Sequence, residues 1–164
     1  MKGVLRRAVV GLGSNLGDRE GALRAAVVFL RGLHEGKGED FLVSRFYETR
    51  PIDCEEGTPM FLNGVVCLMV GKEPLELLDE LLNYEQRFGR PAVRERNLPR
   101  VIDLDLLMVG EERWADERLQ LPHPRMAGRL FVLEPLAEIL PDLYLPGVGM
   151  RVVDARDLLR KQSL

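Results

Sequence analysis

Residues 100–110 read RVIDLDLLMVG. Apart from Arg100, Asp103, Asp105 and the closing Gly110, every residue is apolar, which is the composition of a strand bound for a protein interior. Alternation along a strand places Asp103 and Asp105 on one face with Val101, Leu107 and Val109. Ile102, Leu104, Leu106 and Met108 then take the other face. Two carboxylates side by side repel, and burial raises the cost of ionising both. Solvent at a sheet edge, arginine partners or a divalent cation would each relieve the conflict. Just upstream lie Arg90, Arg94, Arg96 and Arg100, four guanidiniums for two carboxylates. Arginine pairing alone is the structural explanation. The surplus of cations favours a further anion, and a polyphosphate with Mg²⁺ satisfies both halves, since carboxylates hold hard cations and arginines hold phosphate oxygens.

The rest of the chain supplies the frame for such a strand. At 164 residues, 46% hydrophobic and 30% charged, it has the length and composition of one globular domain spanning 1–164. A net charge of −3 gives no ground for a nucleic-acid partner, and no apolar run approaches the ~20 residues of a membrane helix. The start, MKGVLRRAVVGLG, lacks a signal-peptide cleavage pattern and reads as a first strand, so a cytoplasmic location is expected. Cys54 and Cys67 have neither metal-site nor CxxC spacing and are expected to stay reduced. A monomer is expected, with a dimer as the alternative.

The apolar run Arg7–Leu12 passes through a Gly-rich turn into a helix whose stripe is Ala22, Leu23, Ala26, Val27, Leu30 and Leu33. Asn15 or Asp18 is placed to cap it. Phe41–Glu48 and Met60–Val70 read as strands, with the polar TRPIDCEEGTP loop between them. Pro74 opens a second helix, Gly89 closes it, and Leu75, Leu78, Leu81 and Leu82 form its buried stripe. The basic loop RPAVRERNLPR leads to the strand at 100–110, and a short strand follows near Trp114. Arg125–Leu133 and Pro135–Leu140 read as helical with a break or kink at Glu134-Pro135, and Asp154–Lys161 as a last helix. The order β-α-β-β-α-β predicts an α+β, ferredoxin-like fold. Its mainly antiparallel sheet would carry helices on both faces, in three α/β/α layers.

Other signals are weaker. GLGSNLGD, Gly11–Asp18, has neither the dinucleotide fingerprint nor a P-loop, and reads first as a strand-to-helix turn. Asn63 interrupts the apolar strand MFLNGVVCLMV on the same face as Phe61. A buried amide needs partners, from a neighbouring loop or from a planar heterocycle stacked on Phe61. His123 lies between two prolines in LPHPRMAGRLF, beside Arg125 and Arg129 and near a helix start that favours anions.

Taken in order, GLGSNLGD, FYETRPI, FLNGVV, EQRFGR, PRVIDLDLL and LPHPRM…GRLFVLEPL resemble the 6-hydroxymethyl-7,8-dihydropterin pyrophosphokinases over about Ala8 to Pro146. The resemblance implies pyrophosphoryl transfer from ATP to a pterin alcohol in folate synthesis, with AMP as the leaving group. It implies that Asp103 and Asp105 hold Mg²⁺, two ions being expected, and that Arg90 and Arg100 bind the triphosphate. By the same similarity His123, Arg129, Glu85 and Arg118 belong to the nucleotide site. Thr49 and Ile52 fall in the pterin loop, Asn63 reads the ring, and Phe61 and Phe131 flank it. Asn97 and Pro124 stand where some members have tryptophan and tyrosine, and Phe61 where others have tyrosine. The basic loop and Thr49–Pro59 are expected to close over the substrates. A nucleotidyltransferase or a non-catalytic ferredoxin-like module are the rival readings.

Overall fold

A computed structural model describes residues 3–50, 56–57, 59–88 and 101–162. Strand β1 (Arg6–Ser14) leads into α1 (Arg19–Leu33), then β2 (Leu42–Val43), β3 (Tyr47–Thr49) and the long β4 (Phe61–Val70). Helix α2 (Pro74–Phe88), β5 (Asp103–Val109), a small hairpin of β6 (Trp114–Ala115) and β7 (Gln120–Leu121), α3 (Leu130–Ile139) and α4 (Val152–Gln162) complete the chain. The sheet runs β2-β4-β1-β5, with β3 also on β4, and every pairing is antiparallel. This is the ferredoxin-like α+β arrangement, with β1 and β4 inside and β5 on one edge.

Each face of the sheet buries its own apolar layer. Ala8, Val10 and Leu12 of β1 and Leu104 and Leu106 of β5 pack with Leu23, Ala26 and Leu30 of α1 and Leu77 and Leu81 of α2. Val9, Val65, Leu107 and Met108 pack on the other side with Val132, Leu133 and Leu136 of α3 and Val152 and Ala155 of α4. Fully burying one such Leu or Val contributes about 1.5–3 kcal/mol, so each layer holds its helices without help from polar contacts. Among the described residues no helix is long and apolar enough to cross a membrane.

The structure corrects several local expectations. Strand β5 does not alternate throughout. Its register on β1 slips between Val9 and Val10, so that Leu106 faces Val10, Met108 faces Val9, and Leu107 is the extra residue. The bulge turns Met108 onto the face of Leu107 and the aspartates, and Val109 onto the opposite one. Phe41–Glu48 is likewise not one strand. The Ser44 hydroxyl accepts the Val65 N–H at 2.9 Å, and the pairing resumes one residue out of step at Tyr47. Helix α2 buries Pro74, Leu77, Leu81, Tyr84 and Glu85, a stripe rotated from the one expected. Helix α3 begins at Leu130 after a short 3-10 turn at Met126–Gly128, and runs through Pro135 instead of breaking there. Asp18, not Asn15, caps α1, accepting the Gly21 N–H at 3.0 Å.

A glycine-floored trough between an amide and two carboxylates

The two inner strands and β5 line up a single row of groups on the face covered by α3. Gly13 of β1 lies opposite Asn63 of β4 on one side and Asp103 of β5 on the other. One pleat along, Gly11 lies between Val65 and Asp105. Both positions that would put a side chain between amide and carboxylates are glycine, so the middle strand forms a bare floor. The crowding shows what a side chain would meet: a Cβ on Gly13 would sit 3.2 Å from Asn63 Oδ1 and 3.7 Å from Phe61 Cδ1. One on Gly11 would sit 3.4 Å from Leu107 Cδ1, which packs over that position, and 3.9 Å from Asp105 Cβ. Two inter-strand steps separate Asn63 from Asp103, a span of about 10 Å.

On the β4 flank, Asn63 is buried and its Nδ2 donates to the Thr49 hydroxyl on β3. That bond turns Asn63 Oδ1 toward the glycine floor. Phe61 is half-buried beside it, two residues along the same face. Phe131, in the first turn of α3, packs on the apolar layer of this same face, with the Arg129 guanidinium 5.3 Å from its ring centroid.

On the β5 flank, Asp103 and Asp105 are both half-exposed, as an edge strand allows, and both already engage other groups. Between them in sequence, the Leu104 N–H donates to Glu85 Oε2 at 3.2 Å. Glu85 on α2 is buried and thus sits beside the pair from the far face of the sheet. Among the described residues no cluster of three or more His, Cys, Asp or Glu could cage a metal ion. Two carboxylates alone suit Mg²⁺, which keeps waters and takes its remaining oxygens from substrate phosphates.

The bulge in β5 also places His123. The Leu107 carbonyl accepts the His123 N–H at 2.7 Å, tying the Pro122–Pro124 segment to the strand edge. His123 Nδ1 accepts the Arg125 N–H at 3.2 Å, so the neutral ring carries its proton on Nε2. Burial, with the Arg129 and Arg125 guanidiniums, holds this imidazole below its usual 6.5. It is therefore a neutral hydrogen-bond donor at neutral pH, set among fixed cations. Because the fold depresses this pKa, the unfolded chain binds more protons just below pH 6.5, and stability falls as the pH drops through that window. His123→Gln is expected to flatten that part of the profile, as urea unfolding at about pH 7.5 and about pH 5.5 would measure.

The structure thus brings Thr49, Phe61, Asn63, Asp103 and Asp105 to one face, with Phe131 in the layer above it and His123 and Glu85 tied to β5. Arg118 is engaged elsewhere, in an ion pair with Asp79 of α2. Ile52, Arg90 and Arg100 lie outside the described residues. Gly11 and Gly13 were missed as site residues because they read as part of a turn. The signal was present: G-x-G on β1 has the same two-residue step as D-x-D on β5.

Residues 9–141 match the family described as 7,8-dihydro-6-hydroxymethylpterin-pyrophosphokinase (HPPK). Among curated relatives, the 2-amino-4-hydroxy-6-hydroxymethyldihydropteridine pyrophosphokinase of Bacillus subtilis is 45% identical over 134 residues, covering 80% of this chain and 77% of that protein. The protein of the same description from Pseudomonas aeruginosa is 40% identical over 144 residues, 87% of this chain and 86% of that one. A crystal structure of wild-type Plasmodium falciparum HPPK-DHPS with pteroate superimposes with a TM-score of 0.71 over 99% of this chain, at 14% identity. At that identity the likeness concerns the fold, and this chain spans 44% of that one's length.

Proposed function

Because the chain belongs to the 7,8-dihydro-6-hydroxymethylpterin-pyrophosphokinase family, we propose that the trough carries that reaction, with the pterin at Asn63 and the triphosphate of ATP at Asp103 and Asp105. The observation that supports this placement is the cross-strand row Asn63–Gly13–Asp103. Its span of about 10 Å matches a bicyclic heterocycle with a one-carbon arm reaching toward a phosphate.

The reaction moves the pyrophosphoryl group of ATP to 6-hydroxymethyl-7,8-dihydropterin, giving AMP and the pterin diphosphate. Asn63 Oδ1 accepts from the N–H groups of the ring, and Phe61 and Phe131 cover its faces. Thr49 anchors the amide, and Ile52 is assigned with it to the pterin side. Asp103 and Asp105 would hold Mg²⁺, two ions being expected, at the carboxylate end of the trough. When bound, the metal offsets phosphate charge and lowers the cost of deprotonating the alcohol. Arg90 and Arg100 hold the triphosphate and the departing AMP, and His123, Arg129, Glu85 and Arg118 are assigned to the nucleotide side. His123 suits that place, because a neutral Nε2–H donates to a phosphate oxygen without trapping it. Positioning and charge thus carry the reaction, and no side chain is assigned as general base. The reading takes residues 1–164 as one cytoplasmic domain.

The test mixes protein, Mg²⁺, ATP and 6-hydroxymethyl-7,8-dihydropterin and resolves the nucleotide products. AMP is expected only when pterin and metal are both present. ADP as product, or pyrophosphate release, would refute the assignment.

A further inference from the structure

Strand β3 is three residues long, yet it carries the hydroxyl that orients Asn63. So short an edge strand has little ladder of its own, and two side-chain grips hold it from opposite faces of the sheet. On the trough face, Tyr47 lies directly opposite Asn63, and its phenol donates to Glu138 Oε1 near the end of α3. The Arg45 N–H donates to both Glu138 oxygens, at 3.2 and 3.0 Å, and the Arg45 guanidinium lies 5.6 Å from the Tyr47 ring centroid. Partial burial pushes the Glu138 carboxyl up, but the bonds from Tyr47 and Arg45 outweigh it and hold the group below its ordinary value. It is therefore a charged acceptor at neutral pH. On the other face, Arg19 from the first turn of α1 reaches Glu48 Oε1 at 2.7 Å and the Met60 carbonyl at 2.9 Å. One guanidinium thereby ties the end of β3 to the start of β4. Asn15 adds a bond to the Pro59 carbonyl at 3.4 Å.

These contacts lie outside both apolar layers, and Arg45, Glu48 and Glu138 are exposed. Exposed ion pairs add little to stability, so their concentration around three residues calls for another explanation. Fixing β3 fixes Thr49, whose hydroxyl anchors the Asn63 amide by its Nδ2 while Oδ1 lies over the glycine floor. An amide without that anchor would be free to leave the plane in which a heterocycle's edge meets it. Glu138 also lies on the helix that carries Phe131, so the same grip sets the distance between the ring's cover and its reader.

We propose that Glu138 and Arg19 are positioning residues for the pterin, acting through Tyr47, Glu48 and Thr49 on the orientation of Asn63. This rests on the function proposed above. Glu138→Ala, Tyr47→Phe and Arg19→Met are each expected to raise the KM and the Kd for 6-hydroxymethyl-7,8-dihydropterin about tenfold, the effect of losing a charge-assisted bond. The KM for ATP and kcat stay within about twofold of wild type. Tyr47→Phe with Glu138→Ala in one chain is expected to do no more than the larger single change, since both cut one connection. Arg19→Lys keeps the charge but not the fork, and is expected to recover part of the affinity.

The readouts are AMP formation for the KM values and pterin fluorescence titration for Kd. An unchanged pterin KM in a variant set whose wild type does form AMP would overturn the positioning role and leave the function standing. Equal rises in both KM values would mean general loosening and also overturn it. A wild type that forms no AMP defeats the function itself. Tyr47→Phe removes one oxygen from a half-buried ring, so it keeps the test decisive if a larger change unfolds the protein.

Discussion

Asp105→Asn, and Asp103→Asn alike, is expected to lower AMP formation about a thousandfold or more while leaving the melting temperature of the free protein unchanged or slightly raised. Both side chains sit half-exposed on an edge strand, outside the two apolar layers, so the swap opens no cavity. Asparagine keeps the volume and removes one of two like charges that repel across a single pleat, with buried Glu85 adding a third carboxylate nearby. The fold is therefore expected to survive the swap. On the proposed function, the reaction would lose an anionic oxygen where Mg²⁺ is to be held against phosphate charge. Thermal melts with and without Mg²⁺ and ATP separate the two effects, because ligand that binds the native state alone raises the melting point by mass action. Wild type is expected to gain in the presence of both, and each variant to lose most of that gain. Normal turnover by either variant with Mg²⁺ would remove the aspartates from the metal site.

Gly13→Val is expected to keep the fold and abolish at least about 99% of activity, a loss of roughly a hundredfold from misplacing the substrate by a side chain's width. Valine favours strands, and the trough face at this position meets Asn63 and Phe61 rather than packed aliphatic side chains. Its Cβ would lie 3.2 Å from Asn63 Oδ1, so the amide must shift by a few tenths of an ångström, and the two methyls then occupy the floor. The space taken is the space between the Asn63 amide and Asp103, where the proposed function puts the pterin. Circular dichroism and thermal melts check the fold, and pterin titration with AMP formation checks the site. Undiminished affinity and turnover in a folded variant would show that substrate does not lie across β1. Together the two substitutions test opposite properties of the trough: one its charge, the other its emptiness.

Much of this protein was legible in its chain because the deciding signals are local. Apolar runs mark β1, β4 and β5, helical spacing marks α1 and α2, and the D-x-D step alone places two carboxylates on one face of a strand. The run of motifs from GLGSNLGD to LPHPRM carried the family. Where local signals compete, the reading slipped. Several leucines on one helix leave the centre of the α2 stripe ambiguous, and it is Leu77, not Leu75, that the fold buries. A proline denies the preceding turn a hydrogen bond and predicts a break or kink at Pro135, yet with Val132, Leu133 and Leu136 buried the helix runs through it unbroken.

What the sequence determined by itself is the main helices and strands and the step that puts the two aspartates on one strand face. What only the tertiary structure decided is how distant segments register against each other. The bulge at Leu107 exists because β5 must pair with β1 and also pack against α3, and its carbonyl then fixes His123. The trough exists because Gly11 and Gly13 fall between Asn63 and Val65 on one side and Asp103 and Asp105 on the other. A shift of one residue would have put Val10 and Leu12 there instead. The grips on β3 likewise join residues as far apart as Tyr47 and Glu138. Alternation is a property of one strand, but register is a property of two, and it is set by the total burial on both faces of the finished sheet.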